Sequence, residues 1–352
     1  MHMSHIDTII KKIEENQRID SIEALDLYRN ADLLTLGSLA NQKRFLFHPE
    51  KVVTYVVDRN INYTNICVSG CRFCAFYQPV EKGYILSKQE LAEKIQETID
   101  LGGTQILLQG GMHPDLEIDF YVDMLTSIKE HFDIHIHGFS PPEIDFIAKR
   151  SNLSVAKTIF VLKKAGLDSI PGGGAEILDD DVRQRVSPNK CLSKEWLEVM
   201  RQAHLQGMRS SATMMFGHLE QDFHIVAHLE KIRALQDETR GFTAFIPWTF
   251  QPGNTKINVK KKTSVEYLKV LAVSRIFLDN IDNVQASWVT QGDKIGQTAL
   301  FFGANDMGST MIEENVVASA GVNFMLPEPE LKRLITMAGF EPRQRDCYYN
   351  LL

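Results

Sequence analysis

Cys67-Val68-Ser69-Gly70-Cys71-Arg72-Phe73-Cys74, running on into Ala75-Phe76-Tyr77, is the stretch from which the rest of the chain is read. Three thiols fall within eight residues at the spacing C-x3-C-x2-C. The other two cysteines, Cys191 and Cys347, lie far away in sequence, so the group offers three ligands and not four. A structural zinc ion takes four protein ligands, usually supplied in pairs, and an ordinary four-iron cluster takes four thiolates. Three thiolates on such a cluster leave one iron open to a substrate. The competing reading is a zinc site completed by a distant His or Cys, and the unpaired spacing speaks against it. A disulfide is disfavoured, because five cysteines in 352 residues without a secretory signal suggest a reducing compartment.

Working outward, the chain alternates short β-rich runs with helical ones. Val52–Val57 is β-rich, and Ile61–Ile66 leads directly into the cysteines. Ser87 with Glu90 makes a capping box for a helix to about Leu101, which Gly102-Gly103 stops. Further strands are read at 104–108, 134–137, 167–170, 210–216, 242–246, 284–288 and 307–310. Helices are read over 119–131, from Pro141, and over 193–206, 223–236, 264–278 and 294–302. Eight strands alternating with helices predict parallel βα units and an α/β fold, a (β/α)8 barrel of TIM type. The span from Val52 to Met311 fits the roughly 250 residues typical of one. Residues 4–47 carry helical periodicity, so 1–50 is read as an N-terminal helical cap, 51–325 as the barrel and 326–352 as a tail packed on it.

Polar residues gather just after the strands: Gln109-Gly110-Gly111, His137, Pro171–Glu176, His218–Glu220, Trp248–Asn254 and Trp288–Gln291. One such loop would be ordinary turn chemistry. A full ring of them points to one shared pocket at the C-terminal strand face. The net charge of −7 gives no footprint for nucleic acid. No apolar run of 18 residues exists to span a membrane. The polar N-terminus has no apolar signal core, which places the protein in the cytoplasm.

The cysteine loop, with an aromatic residue before its third thiol, resembles the signature of the radical S-adenosylmethionine (SAM) enzymes. That resemblance implies a [4Fe-4S] cluster whose open iron chelates SAM, and an external low-potential electron donor. Cleavage of SAM then yields an adenosyl radical that takes hydrogen from a small-molecule substrate. Asn62-Tyr63-Thr64-Asn65, Gly138–Ile144, Met214–His218 and Phe250–Asn254 narrow the likeness to a small group within the superfamily. It comprises the menaquinone enzymes of the futalosine route and the deazaflavin-chromophore synthases. Gln285–Gly292 is most similar to the cyclases acting on dehypoxanthine futalosine. The likeness runs from about residue 50 to 325. It implies hydrogen abstraction from ribose C4′, addition of the carbon radical to the benzoate ring, and loss of an electron and a proton.

Residue roles follow from the same likeness. Cys67, Cys71 and Cys74 become cluster ligands. Phe73 is either a shield for the cluster, an adenine contact or plain packing. Gln109-Gly110-Gly111 stands where the family receives the SAM amino group, although Met112 replaces the usual acidic residue. Glu176 is read as a partner of a ribose hydroxyl or the SAM ammonium, against a plain helix N-terminal carboxylate. Arg183 is read as a partner of the SAM carboxylate, or else as a solvated helix residue. His137, Arg209 and Arg275 are candidates for the benzoate, His218 or Glu220 for the final base, and Trp248 and Trp288 for the aromatic ring.

Overall fold

β1 (Val52–Val56) and β2 (Asp58–Asn62) form one extended run interrupted at Val57. In the computed structural model, which describes residues 5–322 and 325–352, this run begins a barrel. Ser4, in the stretch expected to be helical, lies outside the described residues, as do 323 and 324 near the expected end of the barrel. After β2 come β3 (Gln105–Gln109), β4 (His135–Gly138), β5 (Ser169–Ile170), β6 (Arg209–Phe216), β7 (Phe242–Thr249) and β8 (Asn283–Val284). They pair in chain order, all parallel, in one seven-stranded sheet. Sequential parallel neighbours require a crossover on one side, and helices supply it.

β9 (Asp306–Ser309) closes the ring. On one side Ala286 N–H donates to the Asp306 carbonyl at 2.8 Å, and Asn305 N–H to that of Val284 at 3.1 Å. On the other, Thr54 N–H reaches the Asn305 carbonyl at 3.1 Å and Thr310 N–H the Val56 carbonyl at 3.0 Å. With β1 and β2 counted as one, the expected eight-fold barrel is complete. The capping box at Ser87 and Glu90 forms as read, with Glu90 N–H on Ser87 Oγ at 3.2 Å and Ser87 N–H on Glu90 Oε2 at 2.8 Å. Among the helices that go beyond the sequence reading are Val155–Ala165, Asp180–Val186 and, in the tail, Glu328–Met337. Trp288, read as the end of a strand, instead begins a helical turn, Trp288–Gln291.

The N-terminal stretch forms three helices, His5–Glu14, Ser21–Asn30 and Leu33–Phe47. They pack on two wall helices, Asp222–Thr239 and Ser264–Phe277. Arg18 joins them to the wall through Asp237 at 2.7 Å and Asp279 at 2.8 Å. At the other end of the chain, helix Glu328–Met337 leads into β10 (Glu341–Gln344), which adds to the free side of β1 in parallel.

Just after β10 the chain turns under the barrel. Arg345 reaches Asp306 through two bonds, Nε to Oδ2 at 2.6 Å and Nη2 to Oδ1 at 3.0 Å. Both side chains are buried, so each charge depends on the other for solvation. Arg345→Leu therefore leaves a lone buried carboxylate and should lower unfolding free energy by about 3–5 kcal/mol. Urea denaturation measures this, and an unmoved midpoint would contradict it.

Candidate active site

Strand residues alternate between the two faces of a sheet, so period two decides what the barrel holds. On β2 the inward residues are Asp58, Asn60 and Asn62; on β3 they are Gln105, Leu107 and Gln109. Ser211 and Thr213 of β6 follow, and Ala244, Ile246 and Trp248 of β7. Barrels of this kind normally fill their interior with Val, Ile and Leu. Here small and polar side chains leave a cavity of about 400 Å³. The three cysteines and Phe73 line it at the C-terminal ends of the strands. Arg345, Cys347 and Tyr349 line it at the other end.

The cysteine loop is held by bonds to distant elements. Val68 N–H donates to the Met112 carbonyl at 3.0 Å, Arg72 N–H to that of Val186 at 2.8 Å, and Lys256 N–H to that of Arg72 at 2.8 Å. Gly70 takes φ +59° where the loop turns, a conformation glycine adopts without penalty. Cys71 is buried and accepts from, or donates to, Ser69 Oγ at 2.7 Å. Burial pushes its thiol up to about 11. Metal loading must therefore expel a proton from it. Met112 N–H points at Cys67 Sγ at 3.3 Å, the kind of donor that stabilises a bound thiolate. Among the described lining residues, the only other Cys and His are Cys347 and His137, both toward the floor. The donor set thus fits a cluster held by three thiolates.

Gln109-Gly110-Gly111 lies beside the loop and lines the cavity. A Cβ on Gly110 would strike the Tyr63 ring, and one on Gly111 the Ile66 carbonyl. Both glycines are thus required by close packing against the segment that leads into the cysteine loop. Met112 carries no acid, but Glu143 supplies one from another strand end. Its Oε1 accepts from Gly110 N–H at 2.9 Å and Tyr63 Oη at 2.8 Å, and its Oε2 from Ser140 Oγ at 2.6 Å. Burial raises its pKa to about 7 in spite of these donors.

Glu176 also lines the cavity, with backbone φ +42°, a strained conformation for a side chain of this kind. Its carboxylate meets Lys190 Nζ at 2.9 Å and Arg183 at 3.4 Å. Burial opposes its charge, but the two cations outweigh that and lower its pKa. Lys190 lies 5.0 Å from the Phe73 ring centroid, so one ammonium links the acid to the aromatic residue of the loop. Arg183 does not line the cavity; its guanidinium is spent on the carbonyls of Gly174, Ala175 and Cys191. It fixes the turn that carries Glu176 and has no fork left for a ligand.

His218 and Glu220 are likewise turned away from the cavity. His218 Nε2 meets the Met215 carbonyl at 3.0 Å and its Nδ1 accepts from Leu219 N–H at 2.7 Å. Glu220 takes the N–H groups of Gly217 and His218 at 2.6 and 2.9 Å. Both are consumed in closing the loop after β6. Arg209 begins β6, at the far end from the cysteines; it is exposed and donates to the Arg240 carbonyl. Arg275 is buried outside the cavity on Gly303, Asp282 and Asn305. His137, Trp248 and Trp288 do line the cavity, Trp288 with its Nε1–H on the Ser309 carbonyl at 3.2 Å.

Lys190 and Glu143 escaped the sequence reading. Lys190 sits in an irregular loop after Pro188-Asn189 with no periodic signal. Glu143 follows Pro141-Pro142 in the first turn of a helix, where an acid is ordinary. A readable sign was the polar period on β2, Asp58-x-Asn60-x-Asn62, on a strand buried throughout.

Cys71→Ala should lose most bound iron after anaerobic reconstitution while far-ultraviolet circular dichroism stays native; parental iron content would refute the ligand role. Glu143 gives a pH signature. With its folded pKa raised, its contribution to stability is complete below about 4.5 and lost as pH rises through about 7. Glu143→Gln should flatten the fall in unfolding free energy across that window, measured by denaturant titration. An identical fall in both proteins would contradict the assignment.

Residues 61–232 match the Radical SAM superfamily, and residues 239–352 match the CofH/MqnC C-terminal region. Cyclic dehypoxanthine futalosine synthase of Halalkalibacterium halodurans is 46% identical across 99% of this chain and 95% of its own. The enzyme of that name from Streptomyces coelicolor is 41% identical across 99% and 89%. A 5-amino-6-(D-ribitylamino)uracil–L-tyrosine 4-hydroxyphenyl transferase of Archaeoglobus fulgidus is 44% identical across 85% and 89%. Among solved structures, the FeFe-hydrogenase maturase HydG of Carboxydothermus hydrogenoformans shares the fold, with TM-score 0.76 at 17% identity over 98% of this chain and 80% of that one. With three thiols at the mouth of a hollow barrel and relatives of this kind along its whole length, the chain belongs to the radical SAM enzymes of the futalosine menaquinone group, and its cofactors are a [4Fe-4S] cluster and S-adenosylmethionine.

Proposed function

We propose that this protein converts dehypoxanthine futalosine to cyclic dehypoxanthinyl futalosine, a step toward menaquinone. The observation that carries the reading is the full-length likeness to the two futalosine synthases. Cys67, Cys71 and Cys74 would hold the cluster, with Gly110 and Gly111 offering backbone to SAM beneath it. When bound, the cluster and SAM supply an adenosyl radical that takes hydrogen from C4′ of the ribose. Phe73, Lys190 and Glu176 border this end of the cavity, and the Glu176 carboxylate suits a ribose hydroxyl or the SAM ammonium.

The remaining lining serves the substrate. Asn60, Asn62, Gln105 and Thr213 offer hydrogen-bonding groups to sugar hydroxyls deep in the barrel. Trp248 and Trp288 offer aromatic surface to the benzoate ring. Leu107, Ala244 and Ile246 make part of the wall apolar, which would limit water around the radical. Holding C4′ and the ring carbon near contact distance is where most of the rate would come from.

Reconstituted anaerobic enzyme given SAM, a strong reductant and dehypoxanthine futalosine should form 5′-deoxyadenosine and a product lighter by one hydrogen molecule. Mass spectrometry reads both. Turnover of tyrosine with 5-amino-6-(D-ribitylamino)uracil, and none of futalosine, would assign the chain to the transferase instead.

A further inference from the structure

The reaction proposed above releases a proton inside the barrel, and that proton needs a way out. His137 lines the cavity, and its Nδ1 lies 2.6 Å from Ser169 Oγ. The same hydroxyl lies 2.7 Å from Nε2 of His135. We propose that His137, Ser169 and His135 form a proton relay from the substrate cavity to solvent at the N-terminal end of the barrel. The inference rests on the cyclase reading.

The three residues are brought together by strand geometry. His135 and His137 alternate on β4, so both face inward, one step apart in depth. Ser169 opens β5, which pairs with β4 at His137. Nε2 of His137 faces the cavity; its nearest protein partner is Ser211 Oγ, at a long 3.5 Å. At the outer end, His135 is half-buried and packs edge-on against the exposed ring of Tyr348, centroids 5.0 Å apart.

One arrangement of hydrogens satisfies every contact. His137 Nδ1–H donates to Ser169 Oγ, and Ser169 donates to His135 Nε2. The Cys347 thiol, 3.4 Å away, can donate to the second lone pair of Ser169. This leaves His137 Nε2 as a bare acceptor toward the substrate. When the ring regains aromaticity, its C–H bond breaks and the bonding pair stays in the ring. The proton goes to His137 Nε2, the Nδ1 proton goes to Ser169, the Ser169 proton to His135 Nε2, and the His135 Nδ1 proton to water. The electron leaves separately, to a one-electron acceptor of the iron–sulfur class.

Burial makes transfer preferable to storage. It pushes His137 down to about 3, so an imidazolium cannot rest there and the proton must move on as it arrives. Once the electron has left, the ring holds one proton more than its aromatic form and is a strong acid, so a weak base suffices. The carboxylates that line the cavity are otherwise engaged: Glu143 accepts three hydrogen bonds, Glu176 is held by Lys190 and Arg183, Asp58 accepts from Gln105 and Ser309, and Glu314 accepts from the Val316 and Val317 N–H groups.

His135, His137 and Cys347 also have their ligand atoms within 4.8 Å of one another, a spacing a metal ion could use. Ser169 Oγ stands between the imidazoles, at hydrogen-bonding and not coordination distance.

The test compares parent, Ser169→Ala and Ser169→Thr as full-length reconstituted enzymes acting on dehypoxanthine futalosine. Ser169→Ala should lower kcat on the order of 10²-fold with KM little changed, and should enlarge the solvent deuterium isotope effect on kcat. Ser169→Thr, which restores the hydroxyl, should recover the rate. Parental kcat and isotope effect in Ser169→Ala overturn the relay. So does failure of the threonine to rescue, or stoichiometric zinc in the parent that Cys347→Ser loses. A parent that leaves the substrate unchanged overturns the cyclase reading and the relay with it; an active parent beside an equally active alanine variant overturns the relay alone.

Discussion

A closed ring of strands must put something inside itself, and this chain puts polar groups there. Asp58, Asn60, Asn62, Gln105, Ser211 and Thr213 cannot pack into a dry core without partners. Gln105 bonds to Asp58 at 2.8 Å and Thr213 to the Gly172 carbonyl at 2.6 Å, and such bonds use only part of what these groups can make. The rest of the molecule follows from that choice. Stability has to come from outside the ring, from helices whose apolar faces cover the strands. The ends of the ring must be sealed by side chains that can live beside polar neighbours.

The two ends are sealed differently. Below, a buried arginine and aspartate neutralise each other across the gap between β9 and the segment after β10. Above, the seal is a loop of thiols, glycines and one lysine–glutamate pair. The groups above are turned toward the cavity: the three thiols line it, the glycine turn borders it without side chains, and Glu176 reaches it from a strained φ. Rigid floor and receptive roof are what a reaction between two bound molecules requires.

The barrel was legible because its strands and helices alternate with clear punctuation, and the cluster because C-x3-C-x2-C has few other uses. The individual roles were harder. Arg183, His218 and Glu220 sit in the right loops, but a loop position does not say whether a side chain points into the barrel or ties the loop together. Burial without a ligand-facing atom decided against all three. Arg209 failed for a simpler reason: it begins its strand, and in this fold strand beginnings lie away from the chemistry. Lys190 could not be found from spacing, since only the folded chain brings it to Glu176 and Phe73.

The shape of the thiol loop is set by backbone hydrogen bonds with Met112, Val186 and Lys256, which belong to three separate parts of the barrel. Sulfur chemistry contributes nothing to those bonds. Air that strips iron from the site would therefore leave the mould standing, and a damaged molecule could be refilled where it is, with no need to be dismantled and rebuilt.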